Sequence, residues 1–303
     1  MHRRWFWQLL AGAAASLLPG CGQRESQAYA PTFSREAPAG ETEFVFGIHP
    51  LHNPERLFAI YGPIAEHLGK NIPGTRFRVE ASRNYEEFEK KLASQQFHFA
   101  LPNPMQTLRA VEKGYRVFGK MGNDEDFRGI ILVRKDSGIE RVQDLKGKAV
   151  SYPASTALAA CLMPQYYLHT HGLNVNRDIR NLYVGSQESS IMNVFLGNVA
   201  AGATWPVPWK AFQKEHPDRA AALVVRWQTE TLPNNSLVAR DDVPVALTQR
   251  VGELLFSLNS HEEGRRMLER IPITCFEAAN SRTYDPVRAY VKRFQAEVRP
   301  VPE

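Results

Sequence analysis

Ser155 and Thr156 follow an apolar run ending near Tyr152 and stand where the next helical stretch opens. Hydroxyls and unpaired N–H groups at a helix start suit two jobs, capping the helix and gripping an oxyanion. The residues alone leave both open. Two earlier loops, His49-Pro50-Leu51 and Pro102-Asn103-Pro104, follow comparable runs, so His49 and Asn103 are candidate donors to a ligand. A lone loop histidine is as readily incidental. Trp205 either lines an apolar wall or packs into a core. His49 with His52, and His169 with His171, form only pairs, whereas a metal site needs about three convergent ligands; no metal is expected. No G-x-S-x-G, P-loop or G-x-G-x-x-G occurs, and no spacing suggests a nucleophile with its base. Neither an enzyme nor a cofactor is expected.

The chain opens on His2-Arg3-Arg4, runs apolar from Trp5 to Leu18 apart from Gln8 and Ser16, and reaches Leu18-Pro19-Gly20-Cys21. A basic start, a short apolar stretch and a small residue before the cut predict a signal peptide over 1–20. Leu-x-Gly-Cys resembles the bacterial lipobox, which implies lipidation of Cys21, a lipid anchor in a membrane and a periplasmic location. Arg3-Arg4-Trp5-Phe6 resembles part of the twin-arginine export signal, so both that route and the general secretory route stay open. Residues 21–42 read as a lipidated N-terminus and flexible tether. With Cys21 so used, Cys161 and Cys275 remain of three cysteines and read as two separate buried thiols.

The 303 residues are 43% hydrophobic and 23% charged, which excludes a disordered or collagen-like chain. No run reaches the roughly 18 apolar residues of a membrane-spanning helix. The formal charge of +5 comes from 37 Lys and Arg mixed among 32 Asp and Glu, with no run of five basic residues. No nucleic-acid recognition module accompanies it, so nucleic acid is not an expected partner.

From residue 44 onward, β-type apolar runs alternate with amphipathic helical stretches, the sign of a mostly parallel sheet with flanking helices. Strands are expected over 44–48, 77–81, 97–101, 116–120 and 130–134, with helices from about 54 to 69, over 85–95 and from 104 to 113. A second set follows, with strands over 149–152, 182–185 and 200–204 and helices over 155–169, 189–196 and 207–214. Beyond strands at 223–228 and 236–239, the remainder reads as helical. The runs at 130–135 and 223–227 look like long strands linking two halves. That makes lobe 1 from 43–129 plus 228–303 and lobe 2 from 130–227.

Several stretches together resemble one family. They are Phe44-Val-Phe-Gly-Ile48 with Tyr61-Gly-Pro63 and His67-Leu-Gly69, then Phe127-Arg-Gly-Ile-Ile-Leu-Val-Arg-Lys-Asp-Ser-Gly138, then Val142-Gln-Asp-Leu-Lys-Gly-Lys-Ala-Val150. Pro153-Ala-Ser155-Thr156 with its helix to Met163-Pro164, and Gly185-Ser-Gln-Glu188, continue the match. In order and spacing, 43–280 resembles the phosphate/phosphite/phosphonate (PhnD-like) solute-binding proteins of ABC transporters. The resemblance implies an α/β type II periplasmic-binding-protein fold, two α/β lobes joined by a two-strand hinge with a ligand cleft between them. It also implies binding residues at Ser155, Thr156, Ala157, Gln187 and Glu188, and at Arg128 near the hinge. For Arg128 the alternative is a surface arginine, and for Glu188 an acid that merely suits a helix start.

The chain departs from the family's pattern at several points. Gly129 stands where a serine is usual, Ala157 where the helix start tends to have a second serine, and Gln187 where a histidine is common. Pro102 replaces a loop aromatic, and Ala203-Thr204-Trp205-Pro206 occupies a stretch where an acid can hold a substrate amine. These departures argue against an aminoalkylphosphonate. The expected function is a lipid-anchored, monomeric periplasmic binding protein that takes a small anion, a phosphate- or phosphonate-like oxyanion. It would deliver the anion to an ABC permease by hinge closure, or alternatively signal to the periplasmic sensor domain of a histidine kinase.

Overall fold

The computed structural model describes residues 40–302. Strand β1 (Thr42–Ile48) is buried from Phe44 to its end, as a strand covered on both faces must be. It runs parallel to β2 (Thr75–Ala81) on one side and β3 (Phe99–Leu101) on the other, with Phe46 opposite Val79 and Phe99. Beyond β3 lie β10 (Ser236–Arg240), β4 (Tyr115–Met121) and β11 (Phe276–Ala278), each antiparallel to its neighbour. The helices of this part are α1 (Pro54–Asn71), α2 (Tyr85–Ala93), α3 (Pro104–Glu112), α8 (Val245–Phe256), α9 (Glu262–Arg270) and α10 (Asp285–Glu297). Asn53, Asn84 and Asn103 cap the first three, each accepting a backbone N–H from the first turn.

The middle of the chain builds a second sheet in the order β7 (Arg180–Tyr183), β6 (Ala149–Tyr152), β8 (Ala201–Thr204), β5 (Arg128–Arg134) and β9 (Leu223–Thr231). Helices α4 (Met163–Thr170), α5 (Gln187–Phe195), α6 (Pro206–Glu215) and the short α7 (Pro217–Ala221) belong with it. The chain crosses between the sheets twice, at 122–127 and 232–235. These crossings are stitched together: Leu232 N donates to Phe127 O at 3.1 Å, and Asn234 gives its backbone N–H to Asp124 Oδ1 and its side-chain amide to Gly122 O, both at 2.8 Å.

The structure differs from the sequence-based expectations in three ways. The strands expected to link the halves pair with each other inside the second sheet, Ile131 opposite Trp227. A short strand, β11, stands between the helices expected over 262–270 and 286–297, where no strand was expected; pairing of Phe276 with Met121 at the sheet edge makes it. The helix expected to open at Ser155 begins only at Leu158, with a π-helical turn (Leu158–Leu162) that runs into α4. Pro164, which has no N–H to give, lies just past that turn, and a missing rung is where a wider turn is tolerated.

Gly129 explains itself in this setting. A Cβ there would lie 2.5 Å from Ala159 O and 2.7 Å from Pro164, so only glycine lets the turn rest against β5.

Candidate functional site

The turn at Leu158 starts after Ala157, whose backbone is extended. Leu162 N donates to Ala157 O at 3.1 Å and closes the first five-residue ring. The N–H groups before it, from Leu158 to Cys161, have no carbonyl within their own helix to reach. Ala157, Leu158, Ala159 and Ala160 line a cavity of about 10 Å³ together with Gln187 and Trp205 from the second sheet's side. His49, Tyr85 and Asn103 line it from the first sheet's side, and Phe127 and Asn235 from the two crossings. That space holds about one water molecule.

His49 follows β1 and is only 2% exposed. Its Nδ1 lies 2.9 Å from Leu101 O. A carbonyl can only accept, so Nδ1 carries the proton and the neutral ring's Nε2 is an acceptor. Burial pushes its pKa down to about 4, against the weaker opposite pull of that hydrogen bond. Asn103 follows β3; its Oδ1 accepts Gln106 N at 2.9 Å, and Gln106 Oε1 accepts Asn103 N in return. This capping box commits the Oδ1 and leaves the buried Nδ2 donor with no partner. Asn235 is fully buried, and its Oδ1 likewise has no partner.

From the other side, Gln187 is fixed at both ends. Its Oε1 accepts from Thr204 Oγ1 at 2.8 Å and its Nε2 donates to Tyr85 Oη at 3.2 Å, joining the two sheets' sides. Trp205, 2% exposed, packs its ring 5.5 Å from that of Phe127, so it both lines the cavity and fills core. No Lys, Arg, Asp or Glu is among the residues around this cavity.

Of the residues expected to bind, the structure gathers His49, Asn103, Ala157, Gln187 and Trp205 here and leaves four elsewhere. Ser155 and Thr156 lie in the loop before the helix, held by a turn in which Ala157 N donates to Ala154 O. They line a larger groove of about 1080 Å³ beside α2, α3 and α10. Thr156 gives its hydroxyl to Glu89 Oε1 at 2.8 Å, and Ser155 O accepts from Arg299 at 3.1 Å. The helix therefore opens on Ala157, which has no side chain to cap with. Arg128 is spent along the crossing, on Gln228 Oε1 at 3.1 Å and on Glu125 O. Glu188 is exposed, 3.9 Å from His216 Nε2. Cys21 lies outside the described residues. Cys161 is buried and Cys275 half-buried, and both are free.

Sequence reasoning missed Tyr85, Phe127 and Asn235. Tyr85 reads as one more apolar residue at the start of an amphipathic helix. Asn234-Asn235, two amides directly before the apolar run of β10, is the pattern by which a buried polar position can be found.

Residues 46–284 match the model of the phosphonate ABC transporter periplasmic substrate-binding proteins. Among solved structures, a binding-protein component of an ABC phosphonate transporter from Pseudomonas aeruginosa superposes with a TM-score of 0.78 at 17% identity, covering 84% of this chain and 87% of that one. PhnD1 from Prochlorococcus marinus, in complex with methylphosphonate, gives 0.77 at 17% identity over 84% of this chain and 98% of its own. The aliphatic sulphonate binding protein SsuA from Escherichia coli gives 0.54 at 14% identity over 86% and 93%. At these identities the likeness is one of fold, the type II periplasmic-binding fold. The tetrathionate sensor histidine kinase TtrS of Salmonella typhimurium is 24% identical over 159 residues, which is 48% of this chain; the chain spans 26% of that relative's length. By the span of the matched family model, the chain belongs to the periplasmic substrate-binding proteins of phosphonate ABC transporters.

Proposed function

We propose that this chain is a lipid-anchored binding protein that takes a small oxyanion in the cavity between its two sheets and hands it to an ABC importer. The observation that carries this reading is convergence: the free N–H groups opening the 158–170 helix and the unpartnered Asn103 Nδ2 line one buried cavity. Helix N–H groups there present partial positive charge to an anion. The parts of the chain around each sheet act as two lobes, hinged at 122–127 and 232–235. A tetrahedral oxyanion is larger than the cavity's 10 Å³, so the lobes part to admit it and close on it, and the closed form is what the permease recognises. Ser155 and Thr156 serve closure rather than the anion itself.

A thermal-shift screen of phosphate, phosphite, methylphosphonate, methanesulfonate and tetrathionate tests this. An anion in excess of its dissociation constant raises the melting temperature. No shift with any of them would sink the reading. The match to a sensor kinase supports a second reading, in which the closed form engages a periplasmic sensor domain. Retention of the liganded protein by the purified kinase domain, and not by the permease, would favour it.

A further inference from the structure

We infer that Arg299 is a positioning residue for anion uptake: it pins both flanks of the turn whose free N–H groups open on the cavity, and it reaches them from the first sheet's side of the molecule. This rests on the cavity being the anion site. The residues that Arg299 holds lie 134 to 144 positions back in the chain, so the link exists only in the fold.

The end of the chain forms a strap between the two sheets' sides. Helix α10 packs against α3, on the first sheet's side. At its end, the Glu297 carboxylate accepts from Tyr166 Oη at 2.9 Å and Val298 O accepts from Asn176 Nδ2 at 2.7 Å. Tyr166 and Asn176 both belong to the second sheet's side. The strap then turns back, and Pro302 O accepts from Arg109 on α3. Arg109 also pairs with Glu89, the acid that Thr156 reaches. The strap is thus a further link across the divide, beside the crossings at 122–127 and 232–235.

Arg299 stands in the middle of that strap with all three guanidinium nitrogens engaged. Its Nε donates to Gln165 Oε1 at 2.9 Å, one terminal nitrogen to Pro300 O at 3.0 Å, and the other to Ser155 O at 3.1 Å. That last nitrogen also lies 3.6 Å from Cys161 Sγ, inside the turn. Ser155 precedes the turn and Gln165 follows it, so one planar group holds both flanks. Gln165 is fully buried, and its Nε2 is committed to Asn181 Oδ1 at 3.2 Å, which fixes the oxygen that Arg299 takes. The guanidinium carbon sits 5.2 Å from the centroid of the Phe294 ring, which holds the fork in place before it bonds. A π-helical turn is rarer than an α turn and less regular, and it keeps its shape where its flanks are held. Gly129 makes room for this one, and Arg299 holds its flanks.

The test is calorimetric titration of the protein with phosphate, phosphite, methylphosphonate, methanesulfonate and tetrathionate, in wild type and in variants. Arg299→Gln loses the fork and should bind whichever anion wild type takes at least about tenfold more weakly. Arg299→Lys keeps the charge and the aliphatic stem, so it should melt as wild type does. One ammonium cannot span Ser155 O and Gln165 Oε1, so its affinity should still fall at least about threefold. Asn176→Ala cuts the same strap at Val298, away from the turn, and should bind within about twofold of wild type. Wild-type affinity in Arg299→Lys, or a loss in Asn176→Ala equal to that in Arg299→Gln, overturns the inference and leaves the anion site standing. Failure of wild type to bind any of these anions overturns the site reading, and the positioning role falls with it.

Discussion

Thr156, in the loop after β6, donates its hydroxyl to the carboxylate of Glu89 on α2 at 2.8 Å, so the two sheets' sides are tied outside the cavity. One turn earlier on the same helix, Tyr85 accepts from Gln187 across the same divide. Helix α2 thus reaches the other side through two residues spaced four apart.

Removing the hydroxyl in Thr156→Val leaves Glu89 its bonds to Gln106 and Arg109. The fold should hold, while the closed arrangement loses about 1.5–3 kcal/mol, the net worth of one hydrogen bond to a carboxylate. Small-angle scattering of the liganded protein should then report a larger radius of gyration at limiting ligand. A radius unchanged from wild type would show that this bond does not help closure.

Asn103→Asp separates two roles of one residue. An aspartate caps α3 as well as asparagine does, so the melting temperature should stay within a few degrees. It replaces the Nδ2 donor with negative charge beside the cavity, so anion affinity should fall at least about tenfold. Asn103→Ala should in addition lose roughly 1 kcal/mol of stability with the cap. Retained anion binding in the aspartate variant would remove Asn103 from the site.

The buried His49 and the half-buried His52 set a pH dependence. Burial holds His49 at about 4 and His52 at about 3 in the folded chain, against about 6.5 when unfolded. Both folded values are depressed, so the unfolded chain binds more protons below the unfolded value. Stability is fully present above about pH 6.5 and declines as pH falls toward the folded values, by roughly 3 kcal/mol for His49 alone. Urea melts at a series of pH values from neutral to about 4 should show this slope, and His49→Gln should flatten it. Equal stability across that window would mean that neither ring is buried neutral.

Gly129→Ala places a methyl 2.5 Å from Ala159 O. The 158–162 turn must shift, which should cost about 1–3 kcal/mol and also weaken anion binding, since the same turn carries the N–H groups that open the helix. Urea unfolding and titration with methylphosphonate read the two effects. A variant as stable and as tight-binding as wild type would show that the turn yields freely.

Cys21→Ala should shift the protein from the membrane fraction to the periplasmic extract. Persistent sedimentation with membranes would refute the lipid anchor.

Much of this molecule is written in local pattern. The apolar run of β1, the asparagine caps of α1 and α3 and the amphipathic spacing of α2 follow from neighbours within a few residues, which is why the elements and their order were legible. The family resemblance rests on that same order. The bond from Thr156 to Glu89 was not legible, because its neighbour in space is 67 residues away. The sequence by itself determined most of the strands and helices, β11 and the start of the 158–170 helix apart, and that loops bearing His49 and Asn103 stand at strand ends. Only the tertiary structure decided that these loops meet Ala157 to Ala160, Gln187 and Asn235 around one cavity. Those meetings depend on how two sheets face each other across two short crossings, a relation that no local spacing encodes.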